Sequence, residues 1–253
     1  MRVLLVGAGG YFGRELSRGL DKDFDLLLGH RKADPAEARS VQLDITCLDT
    51  VVAAFRGVDA VVHLAIAPGH EGDYEDDAFN QLRFDVNVKG TWNVVEAARR
   101  SGVRRLVYTS SLMVVWDYPP SEWVAGDAAP RPGGTYALTK RLGEAICEHY
   151  TRAHGLSTVC LRIPKPIALD DPHWKQHPIR PQWLAFPDLV QAYRLALTAP
   201  DIGFEIVTVV GESSRRRWDL TKAERVLGYR PTIRLEDLGY RLGDEREPFE
   251  APD

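Results

Sequence analysis

Tyr136-Ala-Leu-Thr-Lys140 sets a phenol and an ammonium four residues apart, one helical turn, so both lie on one face. A free phenol titrates near ~10, too high for a base at neutral pH. A neighbouring cation favours the phenolate, so the pair reads as a proton-transfer site in which Lys140 eases the ionisation of Tyr136. Thr109-Ser110-Ser111 ends an apolar run at residues 105–110, and a hydroxyl there reaches the same substrate oxygen as the phenol. Serines in such a place also cap helices or make turns. With Tyr136 and Lys140 they make a plausible hydroxyl–phenol–ammonium trio.

A second chemical element opens the chain. Gly7-Ala-Gly-Gly10-Tyr11-Phe12-Gly13 follows an apolar run at residues 2–7 and leads into a helical pattern. One glycine makes the tight turn, one lets backbone approach a pyrophosphate, and one lets helix pack on strand. The helix N-terminus then faces the anion. An acidic residue about 20 positions on would accept from the ribose 2′-hydroxyl of NAD. Here Gly29-His30-Arg31-Lys32 stands in that place, with no acid and two cations. NADP is therefore favoured over NAD, the alternative being a solvated basic turn.

These residues need a scaffold, and the pattern supplies an alternation of strands and helices. Strands are expected at residues 2–7, 24–29, 40–43, 60–64, 105–110, 158–163 and 204–209. Helices are expected at 11–20, 46–55, 76–101, 135–154, 187–199 and 220–227. Thr46 and Asp49 have the spacing of a capping box. Phe84, Val88, Trp92, Val95 and Ala98 recur at helical spacing, as one apolar face would. Strands separated by helices require crossovers, hence an α/β, Rossmann-type doubly wound parallel sheet. Residues 1–163 form the dinucleotide-binding part and 164–253 a small substrate-binding region interwoven with it, in one compact unit.

Two segments break the alternation. Residues 119–134 read as a surface loop. Residues 164–187 are proline-rich and aperiodic, and mix Lys165, Lys175, His177 and Arg180 with Trp174 and Trp183. Following a strand end, this segment is expected to close over substrate. Its aromatic faces suit sugar C–H surfaces and its cations a carboxylate, with Arg180 preferred. Residues 244–253 are polar and expected to fray.

Composition narrows the class. Lys plus Arg number 32 against 36 Asp plus Glu, a net charge of −4 with no basic stripe, which excludes nucleic acid as the expected partner. Cys47, Cys147 and Cys160 are widely spaced, without a C-x-x-C, and suggest neither disulfides nor a metal site. No apolar run approaches the ~20 residues of a membrane helix. The opening MRVLLVGAGG is a buried strand rather than a signal peptide, so cytoplasm is expected.

The ordered set resembles an extended short-chain dehydrogenase/reductase of the NAD-dependent epimerase/dehydratase family. It comprises Gly7/Gly10/Gly13, Asp44, His63-Leu64-Ala65, Asn87-Val-Lys-Gly-Thr91, Thr109-Ser-Ser111, Tyr136/Lys140 with Glu144, and Leu161-Arg-Ile-Pro164. The short C-terminal part is closest in layout to the uronate dehydrogenase branch. The resemblance implies Asp44 and Ile45 near the adenine, and Leu64, Ala65, Asn87, Thr109 and Ile163 along the cofactor. It implies Tyr136 as acid/base, Lys140 on the ribose, and Ser111 orienting substrate. Leu112, Met113, Lys165, Arg180 and Trp183 follow as substrate-side residues. The implied reaction is hydride transfer at a hydroxyl or carbonyl carbon of a small sugar, sugar acid or similar polyol. The alternatives are a sugar epimerase/dehydratase and a non-catalytic nucleotide-binding redox sensor. Relatives pair the helices at 76–101 and 135–154 across a two-fold axis, and Val86, Trp92, Val94, Ala145 and Tyr150 suggest a homodimer. The chain departs from the family at His30, in Leu112-Met-Val-Val-Trp116, and in Pro164-Lys-Pro166.

Overall fold

The apolar runs pair edge to edge in the computed structural model, which describes residues 1–32, 36–69 and 72–245. The first half contains β1 (Arg2–Val6), α1 (Tyr11–Leu20), β2 (Asp25–His30), β3 (Ser40–Gln42), α2 (Leu48–Ala54) and β4 (Ala60–His63). A long helix follows as α3 (Asp77–Arg83), a π-helical segment (Phe84–Lys89) and α4 (Gly90–Arg100). Then come β5 (Arg105–Ser111), a 3₁₀ turn (Leu112–Val115), α5 (Thr135–His154) and β6 (Ser157–Ile163). The remainder holds β7 (Pro166–Ile167), α6 (His173–Gln176), β8 (Leu184–Ala185), α7 (Phe186–Thr198), β9 (Phe204–Thr208) and α8 (Thr221–Leu227).

Seven strands form a sheet in the order β3-β2-β1-β4-β5-β6-β9, every neighbouring pair parallel. The order reverses between β1 and β4, and such a switch point leaves a crevice at the strand ends. Alternation within β1 shows why both faces are covered. Val3 and Leu5 join a core with α1, α7 and α8, while Leu4 and Val6 join one with α2, α4 and α5. This is the doubly wound, Rossmann-like architecture expected. The last strand, β9, comes from beyond residue 163 yet pairs with β6, so the C-terminal part shares the main sheet.

Three local expectations are corrected. Thr46 does not cap α2: its hydroxyl donates to Asp44 Oδ1 at 2.7 Å, and Cys47 occupies the cap position. The π-helical segment shifts the phase of the long helix, because a wider turn advances the buried face by a residue. Phe84 and Trp92 are consequently exposed, while Asn87, Thr91, Val94 and Val95 face inward. At the C-terminus, Asp244 and Glu245 are held by Arg215 at 3.1 Å and Arg217 at 2.6 Å rather than frayed; residues 246–253 lie outside the described residues.

The inward turn of that helix anchors the end of β4. Thr91 Oγ1 donates to the Asn87 carbonyl at 2.6 Å and so accepts from His63 Nε2 at 3.0 Å. That assigns the ring proton to Nε2 and leaves Nδ1 buried without a partner. Burial, helped by the nearby Lys140 charge, holds the His63 pKa down at about 3, from 6.5. Between these values the unfolded chain binds a proton that the folded chain refuses, so stability falls as pH drops from 6.5 towards 3. Thermal unfolding should lose up to ~1.4 kcal/mol per pH unit through this one site. The loss should begin above the carboxylate range and be smaller in His63→Gln. A wild-type stability that stays flat between about pH 6 and pH 5 contradicts the assignment.

Candidate active site

The glycine loop sits at the carboxyl end of β1, beside the switch point. Gly7 has φ +96°, and a Cβ there would lie 2.7 Å from the Ala65 amide nitrogen. At Gly13 it would lie 2.6 Å from Ala8 Cα, so helix and strand meet closely. A Cβ at Gly10 would meet nothing within 4 Å, because that position opens on the cavity at the N-terminus of α1. The first-turn N–H groups of a helix lack intrahelical acceptors and favour an anion. The cradle therefore fits a pyrophosphate. Tyr11 and Phe12 line the same cavity, and Phe12 packs edge-on against Phe186 and Tyr193.

A single cavity of about 1620 Å³ runs from this loop across the strand ends. Gly7, Gly10, Gly13, His30, Arg31, Asp44, Ile45, Leu64, Ala65, Thr109 and Ile163 all line it, as expected. At the β2 end His30 and Arg31 stand where an acid was absent from the sequence. Asp44 accepts from the Thr46 hydroxyl and amide, which hold its carboxyl below the ordinary range, and the charge of Arg31 adds to this. Asn87 is not among the residues lining this cavity. Its Oδ1 accepts from Ala67 N at 2.7 Å and its Nδ2 donates to Thr139 at 3.1 Å. Buried in the π-helical segment, it clamps the strand-end loop to α5 instead of lining the main cavity.

Midway along, Ser111, Tyr136 and Lys140 converge. Ser111 Oγ accepts from Met113 N at 3.2 Å, capping the 3₁₀ turn, and its hydrogen bond to Tyr136 favours the ionised phenol. Lys140 Nζ is 5.9 Å from the Tyr136 ring centre and donates to the Thr109 carbonyl at 2.7 Å. Burial dominates both groups, pushing Tyr136 up to about 12 and Lys140 down to about 7. The desolvation that favours the neutral form outweighs attraction across this distance.

The wall opposite is built from the segment expected to be an irregular lid. Instead β7 pairs with β8, and Ile167, Trp174, Ile179 and Trp183 form a small core with Leu235 and Tyr240. Ile179 N donates to Arg241 O, and Gly243 N to Ile179 O, both at 2.8 Å. Apolar side chains invisible to helical or strand periodicity thus fold the segment into a packed wall. Trp174 and Trp183 are buried edge-on to each other at 5.0 Å, and only Trp183 reaches the cavity. Of the four cations, Lys175 donates to Leu238 O and His177 stacks on His173, away from the cavity. Lys165 and Arg180 line it, with Leu112 and Met113. Lys165 lies 4.1 Å over Trp174, and burial pulls its pKa down to about 8. Sequence reasoning missed Gln182, buried on this wall with Oε1 unpartnered, and Trp116, stacked on Trp218 at 6.1 Å. Neither has a local sequence signal; only tertiary packing brings them to the site.

Residues 3–179 match the family described as NAD dependent epimerase/dehydratase. The chain is 33% identical over 252 residues to L-arabinose 1-dehydrogenase (NAD(P)(+)) of Haloferax volcanii, covering 91% of this chain and 96% of the relative. It is 30% identical over 257 residues to a uronate dehydrogenase of Pseudomonas syringae pv. tomato, covering 100% of this chain and 88% of the relative. Among solved structures, uronate dehydrogenase from Agrobacterium tumefaciens superposes with a TM-score of 0.80 at 27% identity, over 94% of this chain and 86% of that one. With the glycine cradle at the switch point and the Ser111, Tyr136 and Lys140 cluster beside it, the chain belongs to the NAD-dependent epimerase/dehydratase family of extended short-chain dehydrogenases/reductases.

Proposed function

We propose that the protein is an NAD(P)-dependent dehydrogenase of a free sugar or sugar acid. The observation that carries this is one continuous cavity joining the phosphate cradle, the Ser111–Tyr136–Lys140 cluster and a wall bearing Lys165 and Arg180. Bound in that cavity, the nicotinamide nucleotide supplies the hydride acceptor or donor. Ser111 orients the substrate hydroxyl, and Tyr136 takes its proton as the carbon is oxidised. Lys140 holds the ribose side and the Thr109 carbonyl together. Lys165 and Arg180 form a cationic end suited to a substrate carboxylate, which supports a sugar acid. In this reading the part beyond residue 163 is the substrate-binding region.

Incubated with L-arabinose or a uronate such as glucuronate, the purified protein should accumulate reduced nucleotide stoichiometric with oxidised sugar, as an epimerase would not. Tyr136→Phe should slow this by ~10²–10⁴ while leaving nucleotide affinity in place. Substantial turnover in that variant, with unchanged pH dependence, would sink the assignment.

The nucleotide is NADP in preference to NAD. His30 and Arg31 flank the cradle where an acid would discriminate against a 2′-phosphate. Arg31→Ala should weaken NADP selectively, with a loss that shrinks at high salt as phosphate contacts are screened. Equal affinities for the two nucleotides by calorimetry contradict this.

The protein is also a homodimer of the cytoplasm. Among the described residues no helix is long and apolar enough to cross a membrane, and the three cysteines are free thiols that suit a reducing compartment. Val94 and Tyr150 face the core, but Phe84, Trp92 and Leu138 are each about two-fifths exposed on the long helix and α5. An isologous interface across these helices would cover them. Light scattering should give a dimer mass at micromolar concentration; a monomer mass contradicts the interface.

A further inference from the structure

Gln182 is 2% exposed and lines the main cavity, yet its Oε1 is buried with no hydrogen-bond partner among the described residues. A buried carbonyl left unmet is costly, and an apolar side chain of the same volume would fill the place without that cost. The backbone beneath it is fixed. Trp183 N donates to Arg180 O at 3.0 Å, closing a β-turn with Pro181 and Gln182 at its two corners. Gly211 N donates to the Gln182 backbone carbonyl at 3.4 Å, and Trp183 packs edge-on to Trp174 at 5.0 Å. The turn thus holds the Gln182 side chain on the cavity wall between Arg180 and Trp183, which line the same cavity.

Strand register connects this turn to the reacting groups. Ile163 ends β6 directly beside Ser111 on β5. Lys165 follows two residues later, ~7 Å of extended chain, and leads into β7, whose Pro166 is paired with Leu184 on β8. In that parallel register Lys165 falls beside Trp183, and its Nζ lies 5.3 Å from the Trp183 ring centre. Burial lowers the proton affinity of Lys165 first, and the charge of Arg180 lowers it further, so the two cations share one end of the cavity. Gln182, two residues from Arg180 and one from Trp183, adds an unmet acceptor to that end.

Two cations and one acceptor define what fits there. The ligand needs an anion to face the cations and, next to it, a hydroxyl to donate to Gln182 Oε1. A bare carboxylate lacks the donor, and a neutral sugar lacks the charge. A sugar acid has both. In a hexuronate ring the free hydroxyl nearest the carboxylate is on C4, because the C5 oxygen belongs to the ring.

We propose that Gln182 is a specificity-determining residue for a sugar acid, its side-chain carbonyl accepting from the hydroxyl beside the carboxylate that Lys165 and Arg180 face. The inference rests on reading the cavity as that of a sugar or sugar-acid dehydrogenase. A site built around such a bond rejects a ligand without the hydroxyl, because its own polar group is then left buried and unmet.

The test compares glucuronate with 4-deoxyglucuronate on the full-length protein. Each is measured by turnover with NADP⁺ and by calorimetric binding to the NADPH-saturated protein, in which no oxidation follows. The wild type should favour glucuronate by ~10–100-fold in kcat/KM and in Kd. Gln182→Met keeps the volume and removes the carbonyl. Glucuronate should then weaken by that factor and 4-deoxyglucuronate little, so that the preference disappears. Nucleotide affinity should be unchanged, and the unliganded variant should melt no lower than the wild type. A merely structural role would weaken both acids alike and lower the melting temperature. Equal handling of the two acids by the wild type overturns the proposal without any variant. A Gln182→Met protein that is unfolded, less stable or still selective overturns it as well. Turnover of L-arabinose, with glucuronate neither bound nor oxidised, overturns it and leaves the sugar dehydrogenase reading standing. Glucuronate bound with a Gln182-dependent preference but never oxidised sinks the dehydrogenase reading alone. If no sugar or sugar acid binds or reacts, both fall.

Discussion

The site depends on one buried ion pair. Arg162 on β6 grips Glu144 on α5 with both arms, at 2.7 and 2.8 Å, and Ser110 on β5 donates to the same carboxylate at 2.7 Å. Glu144 is wholly buried, one and two turns below Lys140 and Tyr136, and Ser110 is the neighbour of Ser111. Three elements that carry or flank the reacting groups are thus locked at a single carboxylate. Isolated apolar contacts could hold α5 against the sheet, but they would let it slide or rotate. A bidentate guanidinium–carboxylate pair fixes both distance and plane. Removing one partner of such a pair typically costs ~3–5 kcal/mol because the other charge is left buried and unpaired. Here the same loss would also release the alignment of phenol, ammonium and hydroxyl.

Locking the helix so deep creates a conflict that the rest of the site must resolve. Burial excludes water from the reacting groups, which sharpens every electrostatic interaction among them. It also pushes Tyr136 up to about 12 and Lys140 down to about 7, away from the ion pair that a phenolate–ammonium couple would need. The counterweights are held by second elements: the Ser111 hydroxyl by the 3₁₀ turn and the Lys140 ammonium by the Thr109 carbonyl. Ionisation of Tyr136 is therefore governed by tertiary placement more than by the spacing of its motif.

That distinction explains what could be read from the chain alone. Strand–helix alternation, the glycine cradle and α5 at residues 135–154 follow from local spacing, and all appear where expected. The 33% identical L-arabinose 1-dehydrogenase and the uronate dehydrogenases place the whole layout in the same family. Errors gathered where a competing contact or a change of helix geometry overrides the local spacing. Thr46 had the spacing of a cap, yet its hydroxyl is committed to Asp44. Phe84 and Trp92 had helical spacing, yet the π-helical segment rotates them outward. Trp174 had an aromatic face suited to a sugar, yet Trp183 and Lys165 cover it.

The wall bearing Lys165 and Arg180 follows the same logic at larger scale. Its strands are only two residues long, too short to be stable by themselves. They are held by Leu235 and Tyr240 from the far end of the chain, and by a close approach at Gly211. A Cβ at Gly211 would lie 2.3 Å from the Trp183 carbonyl, so the wall is seated against the segment just after β9. Because β9 is itself part of the main sheet, Lys165, Arg180 and Gln182 are held relative to Ser111 and Tyr136 through continuous packing rather than across a hinge. Side chains on such a wall can change without disturbing the carboxylate-locked cluster opposite. The Lys165–Arg180 end and the Ser111–Tyr136–Lys140 cluster are then two independently supported halves of one cavity.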